Sequence, residues 1–344
     1  MDLARFEKIT NRYAHLRIAI VGDFCLDRYL EIDPAKREIS IETGLPVHNV
    51  VNVRSQPGGA GTILNNLSEL GIGAIFPVGF CGEDGEGFEL RRTLQHKSGI
   101  QLNHFVQTEL RRTFTYCKPL MMEPDKPPME LNRLDSKNWM PTPALVQGRL
   151  MDSVRTLARE VDAMVVLDQV DVPETGVVTK EVLETINSII KALPNLLILA
   201  DSRRGLRGYP PVTFKMNAAE LSTLSGAVQK NPDLEDIKTI AATLARKQSR
   251  CVFVTLSERG ILGASPNGEV EHVPALPVRG PIDIVGAGDA VTANLAAALA
   301  AGATISEAME IAMAASSVVI HQLGTTGTAS LSQIRSLLQG GAFH

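Results

Sequence analysis

Short apolar runs rich in β-branched residues recur along this chain, each stopped by a small or acidic residue, and longer helix-forming stretches fall between them. The runs lie at 17–23, 74–79, 164–168, 196–201 and 251–256. Helices are predicted over 60–70, 87–96, 144–160, 180–192 and 234–247. Buried strands that alternate with helices close only as a mostly parallel sheet with helices on both faces. Several runs end in Asp or Ser, which puts polar side chains on the carboxyl edge, where such sheets bind ligands.

Two stretches, 29–56 and 103–135, break the alternation. They carry strand-like runs without a long helix, and Arg112-Thr113-Phe114-Thr115-Tyr116-Cys117 alternates polar with apolar or aromatic residues. Both follow sheet elements, so they are expected to pair into a small β-sheet lid that shields the active edge from water. The lid is an insertion in one domain, 1–344, and its exposed face calls for cover, which a homodimer through the lid would supply. A hairpin is expected at 261–265 and 269–273 around Pro266-Asn267-Gly268.

A net charge of −4 over 344 residues argues against a general nucleic-acid or membrane-surface binder. Cys25, Cys81, Cys117 and Cys251 form no Cys-x-x-Cys pair, so neither a zinc site nor a disulfide framework is expected. The N-terminus lacks a signal-peptide core and no run has transmembrane length, which reads as a cytoplasmic protein. A Walker loop, His-Glu-x-x-His, Gly-x-Ser-x-Gly and a Gly-x-Gly-x-x-Gly after the first strand are all missing.

The strongest chemical signal is Asp283-Ile284-Val285-Gly286-Ala287-Gly288-Asp289, which runs straight into an Ala-rich helix. The N–H groups of Gly286, Ala287 and Gly288 would sit at a helix N-terminus, free to bind an anion. Asp289 lies in the first turn, where a carboxylate can take a proton. An anion cradle beside a base suits phosphoryl transfer to a hydroxyl. Asp23 and Asp27 follow the first strand and can accept sugar hydroxyls, or serve as turn residues. Asn217 and Glu220 share a helix face, where Glu220 could order water on magnesium; a capping box explains the same spacing. Arg203 and Arg204 after a strand, and Arg133 at the lid edge, suit a phosphate or remain solvated.

Together these motifs resemble the ribokinase-like (PfkB) carbohydrate kinases, from about 17 to 338. The family carries Asp-Thr-x-Gly-Ala-Gly-Asp, with its last Asp as base; here Ile284 stands where Thr is usual. Pro57-Gly58-Gly59-Ala60-Gly61-Thr62 is similar to its N-terminal signature, with Thr62 where Asn is usual. The resemblance implies a ribokinase-like three-layer α/β sandwich and transfer of the ATP γ-phosphoryl group, with Mg2+, to a sugar or sugar phosphate. Asp289 would be the base and Gly286, Ala287 and Gly288 the anion hole. Asp23, Asp27, Gly58, Gly59, Thr62 and Arg133 would face the acceptor. Asn217, Glu220, Ser257, Gly260 and Asp283 would lie on the nucleotide side, with Glu220 meeting the metal through water. His321 resembles positions beside the adenine, although a lone His is more often packed. Family members often use a monovalent cation near the loop before the anion hole, so K+ activation is open.

Within the family the likeness is to heptose-phosphate kinases, through Val21–Tyr29-type residues (Val21-Gly22-Asp23-Phe24-Cys25-Leu26-Asp27-Arg28-Tyr29), Arg133-Leu134-Asp135 and Leu323-Gly324-Thr325. Bifunctional members add a nucleotidyltransferase domain, and a chain ending at His344 is expected to be kinase only. A nucleoside kinase of the same fold, or an inactive sugar-binding regulator, are the alternatives.

Overall fold

A computed structural model describes residues 1–226 and 233–340, so His344 lies outside the described residues. A nine-stranded sheet forms the middle layer. Its order is Val270–Val273, Ile261–Ala264, Val252–Thr255, Thr213–Asn217, Leu197–Ser202, Ala163–Asp168, Arg17–Gly22, Ala74–Gly82 and Phe105–Thr108. All neighbours pair in parallel except at one edge, where the expected hairpin adds two antiparallel strands. The mostly parallel α/β sandwich is therefore present.

The period-2 burial of these strands builds two cores. Ile18 and Ile20 of the first strand, with Val165, Leu199 and Phe253, face one helical layer. Ala19 and Val21, with Val166, Ile198 and Val254, face the other. Burial on both faces is why these strands read as continuous apolar runs. The first layer includes Ala60–Glu69, Ala287–Ala300 and Ile305–Val319; the second includes Ala144–Leu157, Lys180–Ala192 and Leu234–Gln248. None of the described helices is long and apolar enough to cross a membrane.

The lid differs from expectation in its bounds. Its four strands, in order, are Val50–Gly59, Phe24–Ile32, Phe114–Met121 and Met129–Glu130. Phe24–Ile32 pairs antiparallel with Val50–Gly59 and parallel with Phe114–Met121. The lid thus begins at Phe24 rather than 29, with Asp23 alone separating it from the strand Arg17–Gly22. Phe105–Thr108, expected in the lid, pairs instead with the core strand Ala74–Gly82. Phe105 is buried and its ring meets Phe24 edge-on at 5.3 Å. Burying an aromatic ring of this size outweighs lid pairing for so short a strand.

Candidate active site

The cradle forms where the sheet's carboxyl edge meets the helix Ala287–Ala300. Gly286 is its N-cap and takes φ 83°, ψ −6°, the left-handed region in which a side chain is strained. Ala287 is not free, since its N–H donates to Ile284 O at 3.2 Å and closes the turn. Among the described residues, the N–H groups of Gly286, Gly288 and Asp289 have no hydrogen-bond partner. The cradle therefore substitutes the Asp289 amide for that of Ala287. Asp283 stabilises its approach: Oδ1 accepts from Val285 N at 3.0 Å and Oδ2 from Gly324 N at 3.1 Å.

Asp289 is half-buried in the first turn. Desolvation, with Asp201 and Asp27 adding like charge against the pull of Lys215, pushes its carboxyl up to about 7. A carboxylate poised there can accept a hydroxyl proton near neutral pH. Asp27, on the lid, is thus close enough to Asp289 for its charge to be felt there.

Lys215, on the strand Thr213–Asn217, is a site residue that the motifs did not single out. It is buried, and its Nζ pairs with Asp201 Oδ2 at 2.8 Å. Thr292, one turn beyond Gly288, donates to the same oxygen at 3.0 Å. A Cβ built on Gly288 would stand 3.2 Å from Lys215 Nζ, so the ammonium lies directly against the cradle. Burial opposes its charge, but Asp201 outweighs this and holds the ammonium above its ordinary range. A charged residue within an otherwise apolar strand, Thr213-Phe214-Lys215-Met216, was the signal available in the sequence.

The two acceptor candidates part company. Asp23 is 3% exposed, and its oxygens accept from Gln169 N at 2.8 Å and Val177 N at 2.6 Å. Burial, then the nearby Asp168, pushes it up to about 6. Asp23 therefore pins the 169–177 loop to the sheet instead of presenting a free carboxylate to an acceptor. Asp27 lies on the lid strand opposite Tyr116 and Gln56, and among the described residues its carboxylate makes no hydrogen bond. Burial raises its carboxyl, and Lys118 and Arg133 counter this. A Cβ on Gly58 would stand 2.6 Å from Asp27 Oδ2, so Gly58 makes room for that carboxylate. Gly59 turns the chain into the helix Ala60–Glu69 with φ 57°. Thr62 is 1% exposed within that helix.

The arginines expected to meet phosphate all have carboxylate partners. Arg204 reaches Asp168 at 2.6 Å, and Ser202 and Tyr209 share the same oxygen. Arg203 stands 3.6 Å from Asp171, and Arg133 bonds Asp135 while stacking 5.0 Å from the Tyr116 centroid. Lys137 lies 5.8 Å from the same ring. Arg133, Lys137 and Arg203 are thus gathered about Tyr116, beside Asp27.

On the nucleotide side, Asn217 and Glu220 form both halves of a capping box, so the structural explanation of their spacing is present. Ser257 is exposed at φ 55°, whereas Gly260 is buried where a Cβ would meet Val273 O at only 2.0 Å. His321 is a packed residue: Nδ1 meets Ser317 O at 2.6 Å and Nε2 accepts from Arg279 N at 2.9 Å. No trio of His, Cys, Asp or Glu converges on a metal position among the described residues.

A family model for the "pfkB family carbohydrate kinase" matches residues 17–331. The chain is 29% identical over 339 residues to "Bifunctional protein HldE" of Hyphomonas neptunium, covering 97% of this chain and 66% of that protein. It is 30% identical over 329 residues to the HldE of Syntrophotalea carbinolica, covering 95% and 64%. The chain thus spans about two thirds of the length of these relatives. Among solved structures, Arabidopsis thaliana ribokinase complexed with ribose and ATP superposes with TM-score 0.64 at 18% identity, over 94% of this chain and 99% of that one. Escherichia coli phosphofructokinase-2 in complex with fructose-6-phosphate does so with TM-score 0.67 at 18% identity, over 94% and 99%. The sheet is ribokinase-like, and the chain belongs to the pfkB family of carbohydrate kinases.

Proposed function

We propose that the protein transfers the γ-phosphoryl group of ATP to a hydroxyl of a sugar that already carries a phosphate, with a heptose phosphate as the leading acceptor. One observation carries the reading: Asp289 stands over unpaired amides at a helix N-terminus, with a carboxyl near neutrality, in the cleft that Asp27 faces. Asp27 accepts acceptor hydroxyls. Asp289 takes the proton of the attacking one. The amides of Gly286, Gly288 and Asp289 stabilise the transferring group. Lys215 adds positive charge beneath the cradle. Mg2+, when bound, neutralises phosphate charge.

Arg133, Lys137 and Arg203 supply cations for the acceptor's own phosphate, since each is partly exposed and its partners are surface carboxylates that solvent screens. Arg204 is set aside by its bond to buried Asp168. The nucleotide would lie along 278–285 and 321–324, where Val278, Ile282, Ile284 and Leu323 are exposed. Ser257 borders the same side. K+ activation belongs to this reading through Asp283, and the solved phosphofructokinase-2 of E. coli is described in complex with potassium. A cytoplasmic address fits the use of ATP and the free cysteines.

The same reading includes a homodimer through the lid. The first five residues of Val50–Gly59 are exposed on both faces, and Ile41 is 98% exposed in the turn of the small hairpin Glu38–Ile39 and Pro46–Val47 that joins the lid strands Phe24–Ile32 and Val50–Gly59. An edge of this kind is covered by a second copy of itself at little cost.

ATP turnover measured over matched free and phosphorylated sugars, with adenosine alongside, tests the proposal. A preference for phosphorylated heptose is expected. Turnover of adenosine alone would make it a nucleoside kinase, and sugar binding without turnover a regulator.

A further inference from the structure

Lid and cradle are joined through one side chain. Gln56 lies on Val50–Gly59 directly opposite Asp27 in the antiparallel pairing, so both side chains leave the same face of the lid. Its Nε2 donates to Thr326 Oγ1 at 2.5 Å, and its Oε1 accepts from Thr325 Oγ1 at 3.1 Å. The preceding Gly324 donates its N–H to Asp283, which also holds Val285. Thr326 packs over Gly286, where an added Cβ would stand 3.4 Å from Thr326 Cβ. A cross-strand pairing, a set of hydrogen bonds and a packing contact thus link the strand that carries Asp27 to the phosphate cradle.

We propose that Gln56 is a positioning residue: it couples the acceptor face of the lid to the geometry of the anion cradle, so that acceptor and ATP bind with positive cooperativity. The physical reason is that both amide atoms are engaged, which fixes the side chain and ties two segments remote in sequence. An acceptor that fixes the lid strand at Asp27 thereby fixes the loop that orders Gly286. A ligand can shift a second site only through such a differential contact. The inference rests on the kinase reading above.

The test is titration with the non-hydrolysable analogue AMP-PNP and Mg2+, with and without saturating heptose 7-phosphate or fructose 6-phosphate. In the wild type, acceptor tightens AMP-PNP binding on the order of tenfold. In Gln56→Ala the factor falls to about one. Gln56→Glu, whose carboxylate accepts from both threonine hydroxyls, keeps most of it. Thr325→Val with Thr326→Val loses it while Gln56 remains. An unchanged factor in Gln56→Ala and in the threonine double variant overturns the proposal, as does a wild type with no coupling.

Hydrogen exchange on the unliganded protein separates this from a failure of the kinase reading, because it needs no acceptor. Amides of 283–288 exchange faster in Gln56→Ala, while those of the helix Ala60–Glu69 do not change. Equal exchange at 283–288 overturns the coupling whatever the substrate proves to be. Absence of turnover with every sugar, with faster exchange still seen, sinks only the kinase reading.

Discussion

Asp289 combines two demands that conflict, desolvation and ionisation, and the conflict is measurable. Asp289→Asn is expected to abolish turnover, by about a hundred- to ten-thousand-fold, with ATP binding kept. Activity within about twofold of wild type would remove the base assignment. The ordinary carboxyl value is 3.8 and the folded one about 7, so between these the folded chain holds the extra proton. Stability from this group is therefore lost as pH rises through that window. Thermal melts should show Asp289→Asn gaining on the wild type from pH 4 to 7 and levelling above, and kcat/KM should rise through pH 7 as the base ionises. A variant that gains nothing on this scale speaks against a carboxyl raised towards neutrality. Gly286→Ala forces a side chain into the left-handed region, costing about 1–2 kcal/mol and tilting the cradle amides. A fall in kcat of about tenfold or more is expected, and a normal kcat would make the turn structural only. Asp23→Ala and Asp27→Ala should separate: the first lowers the melting temperature by freeing the 169–177 loop, and the second raises acceptor KM with the melt nearly unchanged. Equal effects on acceptor KM would return Asp23 to the acceptor site.

At the scale of elements, the strands and most helices were legible because their burial is two-sided and their stops are chemical. The helix Lys180–Ala192 has a Thr179 cap and a clean apolar face, and its bounds follow from sequence. The lid was legible as a break in alternation, but not in its bounds. Asp23 and Asp27 sit four residues apart at a strand end, and a sequence alone cannot say which oxygens backbone amides from 169 and 177 will occupy. The burial of Thr62 inside its helix is likewise set by the fold rather than by its place in the motif. Lys215 was missed because its partner Asp201 is distant in sequence and meets it only across neighbouring strands.

Across the whole molecule, exposed apolar residues cluster on the lid. Ile39, Ile41, Leu45, Val50, Val51 and Val53 are all exposed, a density that a lone soluble chain rarely shows. Replacing Ile41 and Val53 by Lys is expected to shift sedimentation from dimer to monomer, and a wild type that sediments as a monomer at micromolar concentration would remove the lid interface. The lid's attachment also bears on how it moves. On one side it issues from the strand Arg17–Gly22 across the single residue Asp23, itself clamped; on the other, Val50–Gly59 runs without a break into the helix Ala60–Glu69. Neither of these two roots offers a slack joint, whereas the chain's other two crossings between body and lid, 109–113 and 131–143, are loops. The lid is then held stiffly along Phe24–Ile32 and Val50–Gly59 and loosely at the far side of its sheet, so flexure for an incoming acceptor falls to the Phe114–Met121 side.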